Sequence, residues 1–316
     1  MWNLCSIDVK EWPSQYCRGV EIRPSDDSDA AAVCALVREA DDARILSEAG
    51  WLHHRHSTPP AEKVLHLVAT DGGAVIAYGV CGLNLWTSSA GAGWCNLAVT
   101  ADRRREGVGS ALLETLLHRL DEIGATKATS FMRFTEEGER WANARGWSRV
   151  LAGPLIAVDP RAVPEATVPA GLRCVAMSEA GPEAVHDAVV EAARDEPRPE
   201  PIDNIPYEDF LSDWQQPDVD LEASSVIVDG TRVVACTEMR LVGDRAQHGF
   251  TGTRRAYRGR GLAYAVKCRA LQEAAARGVT RVTTSNAEEN AAMRAVNRKL
   301  GFVPVGEHVI LSRDLA

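Results

Sequence analysis

The spacing of apolar and polar residues lays out one series of elements and then runs it again. Residues 20–23, Val-Glu-Ile-Arg, alternate and predict a strand. Residues 28–40 follow with Ala31, Val33, Cys34, Leu36 and Val37 on one helical face. Residues 65–70 and 74–85 read as strands around the turn Asp71-Gly72-Gly73. Residues 94–100 predict the next strand, and residues 110–122 a helix striped by Leu112, Leu113, Leu116, Leu117 and Leu120. A strand at 127–132, a short helix at 137–144 and an edge strand at 147–156 complete the first set. The second set has a strand at 172–176, a helix at 182–193, and strands at 224–228 and 232–241 about Asp229-Gly230. It continues with a strand at 245–253, a helix at 262–276, a strand at 279–285, a helix at 291–300 and a strand at 303–311.

A motif repeats in register with this order. Arg104-Arg105-Glu106-Gly107-Val108-Gly109 returns as Arg258-Gly259-Arg260-Gly261-Leu262-Ala263, each between a strand and a helix. The helices end at Gly124 and Gly278, and Gly146-Trp147 and Gly301-Phe302 close the copies. Register kept over so many residues means a duplicated domain. The 316 residues accommodate two domains of about 150. The boundaries read as 1–158 and 170–316, with 159–169 a linker punctuated by Pro160, Pro164 and Pro169.

Composition narrows the partners. A net charge of −9 argues against nucleic acid, which needs a basic face. No apolar run is long enough for a membrane span, and residues 1–20 are too polar for a signal peptide. A cytoplasmic protein without a membrane partner is expected. The eight cysteines are scattered without metal-ligand spacing, so no metal site is expected and the thiols read as small hydrophobes. His53, His54 and His56 read as surface histidines of a loop, and Trp51, Trp86, Trp94 and Trp214 as core and cleft-lining residues. Acid residues crowd between Glu191 and Glu222, among them Asp195, Glu196, Asp203, Glu208, Asp209, Asp213, Asp218 and Asp220. They form either a solvated, partly mobile segment or a wall that attracts a cationic substrate. Prolines between Pro197 and Pro206 mark a long loop there.

The repeated loop suits a phosphorylated ligand. Glycine lets a pyrophosphate approach backbone N–H groups, and a helix start adds unpaired donors and positive partial charge. Arg103, Arg104 and Arg105, and in the other copy Arg254, Arg255, Arg258 and Arg260, add cations.

These residues resemble the GNAT superfamily of acyl-CoA-dependent N-acyltransferases, whose signature is Gln/Arg-x-x-Gly-x-Gly/Ala. Thr284-Ser285-Asn286, Asn290, Met293, Asn297 and Leu300-Gly301-Phe302 look like the tandem branch that includes mycothiol synthase. The resemblance implies two α/β (α+β) domains in tandem, each a mixed, mostly antiparallel sheet flanked by helices. It implies that acetyl-CoA, or another acyl-CoA, lies between the fourth and fifth strands of each half. Arg104, Arg105, Gly107, Val108, Gly109 and Ser110, and Arg258, Gly259, Arg260, Gly261, Leu262 and Ala263, would hold its phosphates. Backbone from Leu97 to Val99 and from Thr251 to Thr253 would hold pantetheine and polarise the thioester. Asn290 would lie against the pantetheine arm, with Asn286 and Asn297 further candidates. Where the family commonly has a tyrosine acid, this chain has Ala142 and Asn297, neither of which can serve.

A base is needed to take a proton from an attacking amine. Glu238, on the strand at 232–241, and His248 are the candidates; an exposed glutamate and a packed histidine are the plainer readings. The resulting expectation is an acetyl-CoA-dependent N-acetyltransferase of a small-molecule amine, with catalysis in the second half. The alternatives are a non-catalytic acyl-CoA-binding regulator and a protein-lysine acetyltransferase.

Overall fold

The computed structural model describes residues 19–165 and 167–315. The first half runs β1 (Val20–Pro24), α1 (Ala30–Ala40), α2 (Glu48–Ser57), β2 (Leu65–Asp71), β3 (Ala74–Leu83), β4 (Ala92–Val99), α3 (Val108–Glu122), β5 (Lys127–Arg133), α4 (Glu136–Asn143) and β6 (Ser148–Val158). The second runs β7 (Leu172–Ala176), α5 (Pro182–Ala193), α6 (Tyr207–Trp214), β8 (Ser225–Asp229), β9 (Arg232–Val242), β10 (Arg245–Thr253), α7 (Leu262–Ala276), β11 (Arg281–Ser285), α8 (Ala291–Lys299) and β12 (Val303–Asp314).

All strands join one 12-stranded sheet in the order β1-β2-β3-β4-β5-β12-β6-β11-β10-β9-β8-β7. Its centre corrects the reading of 147–156 as an edge strand. β6 pairs antiparallel with β11 of the other half, and β12 pairs antiparallel with both β5 and β6. Each half therefore gives its last strand to its sibling. The cores record the exchange: Val309 and Leu311 of β12 pack with Leu112, Leu116 and Leu120, whereas Ile156 and Val158 of β6 pack with Leu271, Val279 and Val282. Burying each such side chain contributes about 1.5–3 kcal/mol, so neither core is complete without the other half's strand.

Loops reinforce the seam. Asp41, after α1, meets His308 of β12 at 2.9 Å. Asp42 pairs with Arg133 of β5 and Arg281 of β11, each at 2.9 Å. In the opposite direction, Glu200 reaches Lys127 at 3.0 Å and Asp203 accepts from Ser88.

Two helices were not expected. α2 begins at Ser47, whose hydroxyl accepts from the Gly50 amide, and it carries the three histidines read as loop residues. α6 lies inside the acidic stretch. That stretch is not a solvated run: Glu191 and Asp195 bind arginines, Asp218 accepts from the Ser47 amide, and Asp220 meets Arg277. Cys34, Cys81, Cys95, Cys174, Cys236 and Cys268 are free thiols, and Cys5 and Cys17 lie outside the described residues. Among the described residues no helix is long and apolar enough to cross a membrane. Nor do any three His, Cys, Asp or Glu side chains cluster to hold a metal ion.

Candidate functional site

Parallel strands β4 and β5 pair only from Ala92–Trp94 to Lys127–Thr129 and then part. At the fork the Asn96 carboxamide oxygen accepts from the Phe131 amide at 3.0 Å and the Ser130 hydroxyl at 3.2 Å, wedging the strands. Beyond it β4 still pairs with β3, and the Thr100 amide bonds to Ile76. Strand alternation then turns the N–H groups of Leu97 and Val99 toward the open edge. The fork opens into a cavity of about 530 Å³ that runs from the Gly loop past Leu97–Val99 to Arg44, His54, Tyr78 and Trp94.

Arg104, Arg105, Gly107, Gly109 and Ser110 line its mouth. Gly107 caps α3 with φ 91°, a left-handed conformation that suits glycine. The amides of Gly107, Val108 and Gly109 have no carbonyl partner among the described residues, as expected at a helix start. A Cβ on Gly109 would stand 3.3 Å from Val99 and 3.6 Å from the Trp141 ring, so glycine keeps the mouth open. Arg104 is held by a hydrogen bond to the Val99 carbonyl at 3.2 Å. Ser110 accepts from Arg145, whose guanidinium stacks over Trp141. Arg105 has φ 69°, costly for a side chain with a Cβ, and its side chain is 85% exposed, 3.3 Å from Glu137. Donors, space and cations thus fit a pyrophosphate group with a pantetheine-like arm below it.

The inner end is polar. Arg44 is exposed and faces the cavity, and its side chain makes no hydrogen bond or ion pair among the described residues. Tyr78 accepts from Trp51 at 3.1 Å and meets His66 Nδ1 at 2.7 Å. His54 is half-buried here and not at the surface; burial, then the charges of Arg44 and Arg240, push it down to about 4.

The second fork has the same plan. β10 and β11 pair only from Arg245–Gln247 to Arg281–Thr283, and Gly261 caps α7 with φ 78°. Gly259, with φ 75°, stands where the first loop has Arg105. Leu262 is buried and Ala263 follows it in the first turn of α7. Here the cations are already satisfied. Asp195 takes Arg255 at 2.6 Å and Arg258 at 2.7 Å, and Arg254 is held by Glu191 and Asp187. Arg260 stacks on Tyr257. Thr251 bonds Thr237, and the Thr253 hydroxyl is buried without a partner. Asn290 caps α8 by accepting from the Met293 amide, and Asn297 donates to Asn286 at 2.6 Å. Glu196, Pro197 and Arg198 lie with Asn286 and Asn290 around a cavity of about 70 Å³.

Neither expected base lines the large cavity. Glu238 accepts from Arg240 at 2.6 Å. His248 is buried, 3.3 Å from the Thr237 hydroxyl, and burial and then Lys267 hold its pKa well below the ordinary value. Sequence reasoning missed Arg44, His54, Tyr78 and Asn96; only the helical spacing of Trp51, Leu52 and Arg55 signalled that His54 sits on a packed helix.

The pattern of the Acetyltransferase (GNAT) family matches residues 30–142 and again residues 187–302. The fold is similar to that of a tandem GNAT protein from the clavulanic acid biosynthesis pathway, solved without AcCoA. That likeness has TM-score 0.72 and 22% identity, over 94% of this chain and 99% of that one. It is also similar to a GCN5-related N-acetyltransferase from Sphaerobacter thermophilus, with TM-score 0.68 and 18% identity over 94% and 96%. A putative acetyltransferase from Pyrococcus horikoshii follows at 0.65 and 11% over 96% and 92%. No curated protein sequence matches the chain. Matched twice over most of its length, the chain belongs to the GNAT acetyltransferase family.

Proposed function

We propose that this protein transfers an acetyl or other acyl group from acyl-CoA to the amine of a small molecule, and that the first half holds the CoA. The observation that carries this reading is the cavity of about 530 Å³ lined by Arg104, Arg105 and Gly109, set against a second loop in which Asp195 binds both Arg255 and Arg258. This moves catalysis from the half that the sequence favours. The amides of Gly107, Val108 and Gly109, with Arg104 and Arg105, hold the phosphates. A bound acyl-CoA supplies an acyl group activated as a thioester. The N–H groups of Leu97 and Val99 face the open edge of β4 and stabilise negative charge growing on the carbonyl oxygen.

His54 is the base in this reading. It is neutral near pH 7, its ring makes no hydrogen bond among the described residues, and it lines the inner end of the cavity. It takes the proton that the amine loses as the new C–N bond forms and the C–S bond breaks, and the proton ends on the departing thiolate. The acidic net charge supports a small-molecule acceptor over nucleic acid, and the free thiols suit a reducing, cytoplasmic setting. The motif from Thr284 to Asn297 supports a place near the mycothiol synthase-like tandem branch.

The test is free-thiol release from acetyl-CoA across an amine panel. His54→Ala should lower kcat about 100-fold while acetyl-CoA still binds by calorimetry. A wild type that binds no acetyl-CoA would sink the reading.

A further inference from the structure

A second cavity, of about 220 Å³, adjoins the first, and His54 and Trp94 line both. Its walls come from opposite halves: α2 and the turn after it on one side, α6 on the other. His53 of α2 bonds the Ser212 carbonyl of α6 at 2.9 Å, and the Ser212 hydroxyl donates to Ser57, so the walls are fixed. Three carboxylates line the chamber: Glu62, Asp209 and Asp213. None makes a hydrogen bond or ion pair among the described residues. Asp209 is only 5% exposed, and its Oδ2 is buried without a partner. A buried carboxylate in that condition is costly and calls for a partner.

No neighbouring cation contacts these carboxylates among the described residues. Arg240 attracts Asp213 from a distance, but its hydrogen bonds go to Glu238 at 2.6 Å and to Gln216 at 3.3 Å. Burial and then repulsion from Asp209 and Asp213 push Glu62 up to about 8, and burial, opposed by the charge of Arg240, pushes Asp213 up to about 6. A bound cation would reverse both shifts.

We infer that this chamber seats the acceptor, and that the acceptor is a short aliphatic diamine or polyamine. One ammonium group lies among Glu62, Asp209 and Asp213, while the other nitrogen reaches past Trp94 to His54 and the acyl-CoA cavity. The chamber has room for about seven water-sized groups, which matches a short diamine. The transfer step rests on the acyltransferase reading above; the diamine site stands on the chamber alone.

The experiment is calorimetric titration of the full chain with 1,4-diaminobutane, butylamine and 4-aminobutanoate, with and without acetyl-CoA. The diamine should bind at least about tenfold tighter than either competitor, and more weakly as salt rises. Asp209→Asn should cost about tenfold and Glu62→Gln several-fold, with thermal unfolding confirming that both variants fold. Equal binding of diamine and butylamine, or variants that bind the diamine unchanged, would overturn the inference. Free-thiol release then separates the two readings. Diamine binding without acetyl-CoA-dependent release leaves the chamber standing and removes the transferase. Release with butylamine as fast as with the diamine does the reverse.

Discussion

The two Gly loops share a backbone and differ in what their cations touch. In the first, Arg104 meets only a carbonyl, and Arg105, left-handed in backbone and 85% exposed in its side chain, has a single carboxylate among the described residues, the exposed Glu137, at 3.3 Å. In the second, glycine relieves that backbone, and carboxylates of α5 and Asp195 just after it occupy Arg254, Arg255 and Arg258. The forks below diverge in the same sense. Trp94 and Leu113 line the first cavity, and their counterparts in the second half are His248 and Lys267, both buried. A duplicated scaffold thus keeps strand order and helix caps while redistributing charge. The lesson is that a motif match marks where a phosphate can sit, and the neighbours of its arginines decide whether the loop is free to take one.

The largest expected effect tests that asymmetry directly. Gly109→Glu should weaken acetyl-CoA binding more than about 100-fold, by placing a carboxylate at the phosphate mouth. Ala263→Glu, at the matching position, should leave it within about twofold. Equal losses in calorimetry would mean both forks are loaded. Next in size is Lys267→Leu, which gives the second helix the residue type of the first. Lys267 is 1% exposed and burial lowers its pKa to about 7. Because the folded pKa lies below the unfolded one, its cost is fully present below about pH 7 and fades as pH rises toward 10.5. The variant should therefore be more stable than wild type by on the order of 2–3 kcal/mol at pH 7 and by little at pH 10.5. Urea unfolding at both pH values reads the difference.

Glu62→Gln gives the opposite sign on the pH axis. With a folded pKa raised from 4.5 to about 8, wild type loses stability as pH climbs through that window. The variant should gain about 2 kcal/mol at pH 8.5, allowing for water at a half-buried carboxylate, and nothing at pH 4. Smallest is Arg105→Gly, which copies the second loop into the first. It should raise stability by about 1 kcal/mol and weaken acetyl-CoA about tenfold. A variant that gains stability and keeps its affinity would show that Arg105 does not serve the phosphates.

Much of the scaffold was legible because it is periodic. The predicted elements at 182–193, 245–253 and 262–276 coincide with α5, β10 and α7. α2 and α6 were not, and together they build the chamber. Gly50 and three histidines break the apolar face of α2, and α6 sets Tyr207, Phe210, Leu211 and Trp214 at helical spacing over only two turns, within a run of acids. Pairings distant in sequence were equally hidden. Nothing in the spacing of Asp195 and Arg258 says that they meet, nor that the uncommitted acids would be Asp209 and Asp213. Alternation along β6 shows a strand but cannot say whose neighbour it becomes.

The exchange of β6 and β12 bears on how the protein is made. Leu311 of β12 lines the first cavity, and β12 covers the edge of β5 from Lys127 to Arg133. During synthesis that edge emerges long before its partner, which lies in the other half of the chain. The first half therefore waits with an open strand edge until the second half has been made, and a chain stopped short of β12 leaves its cleft unclosed.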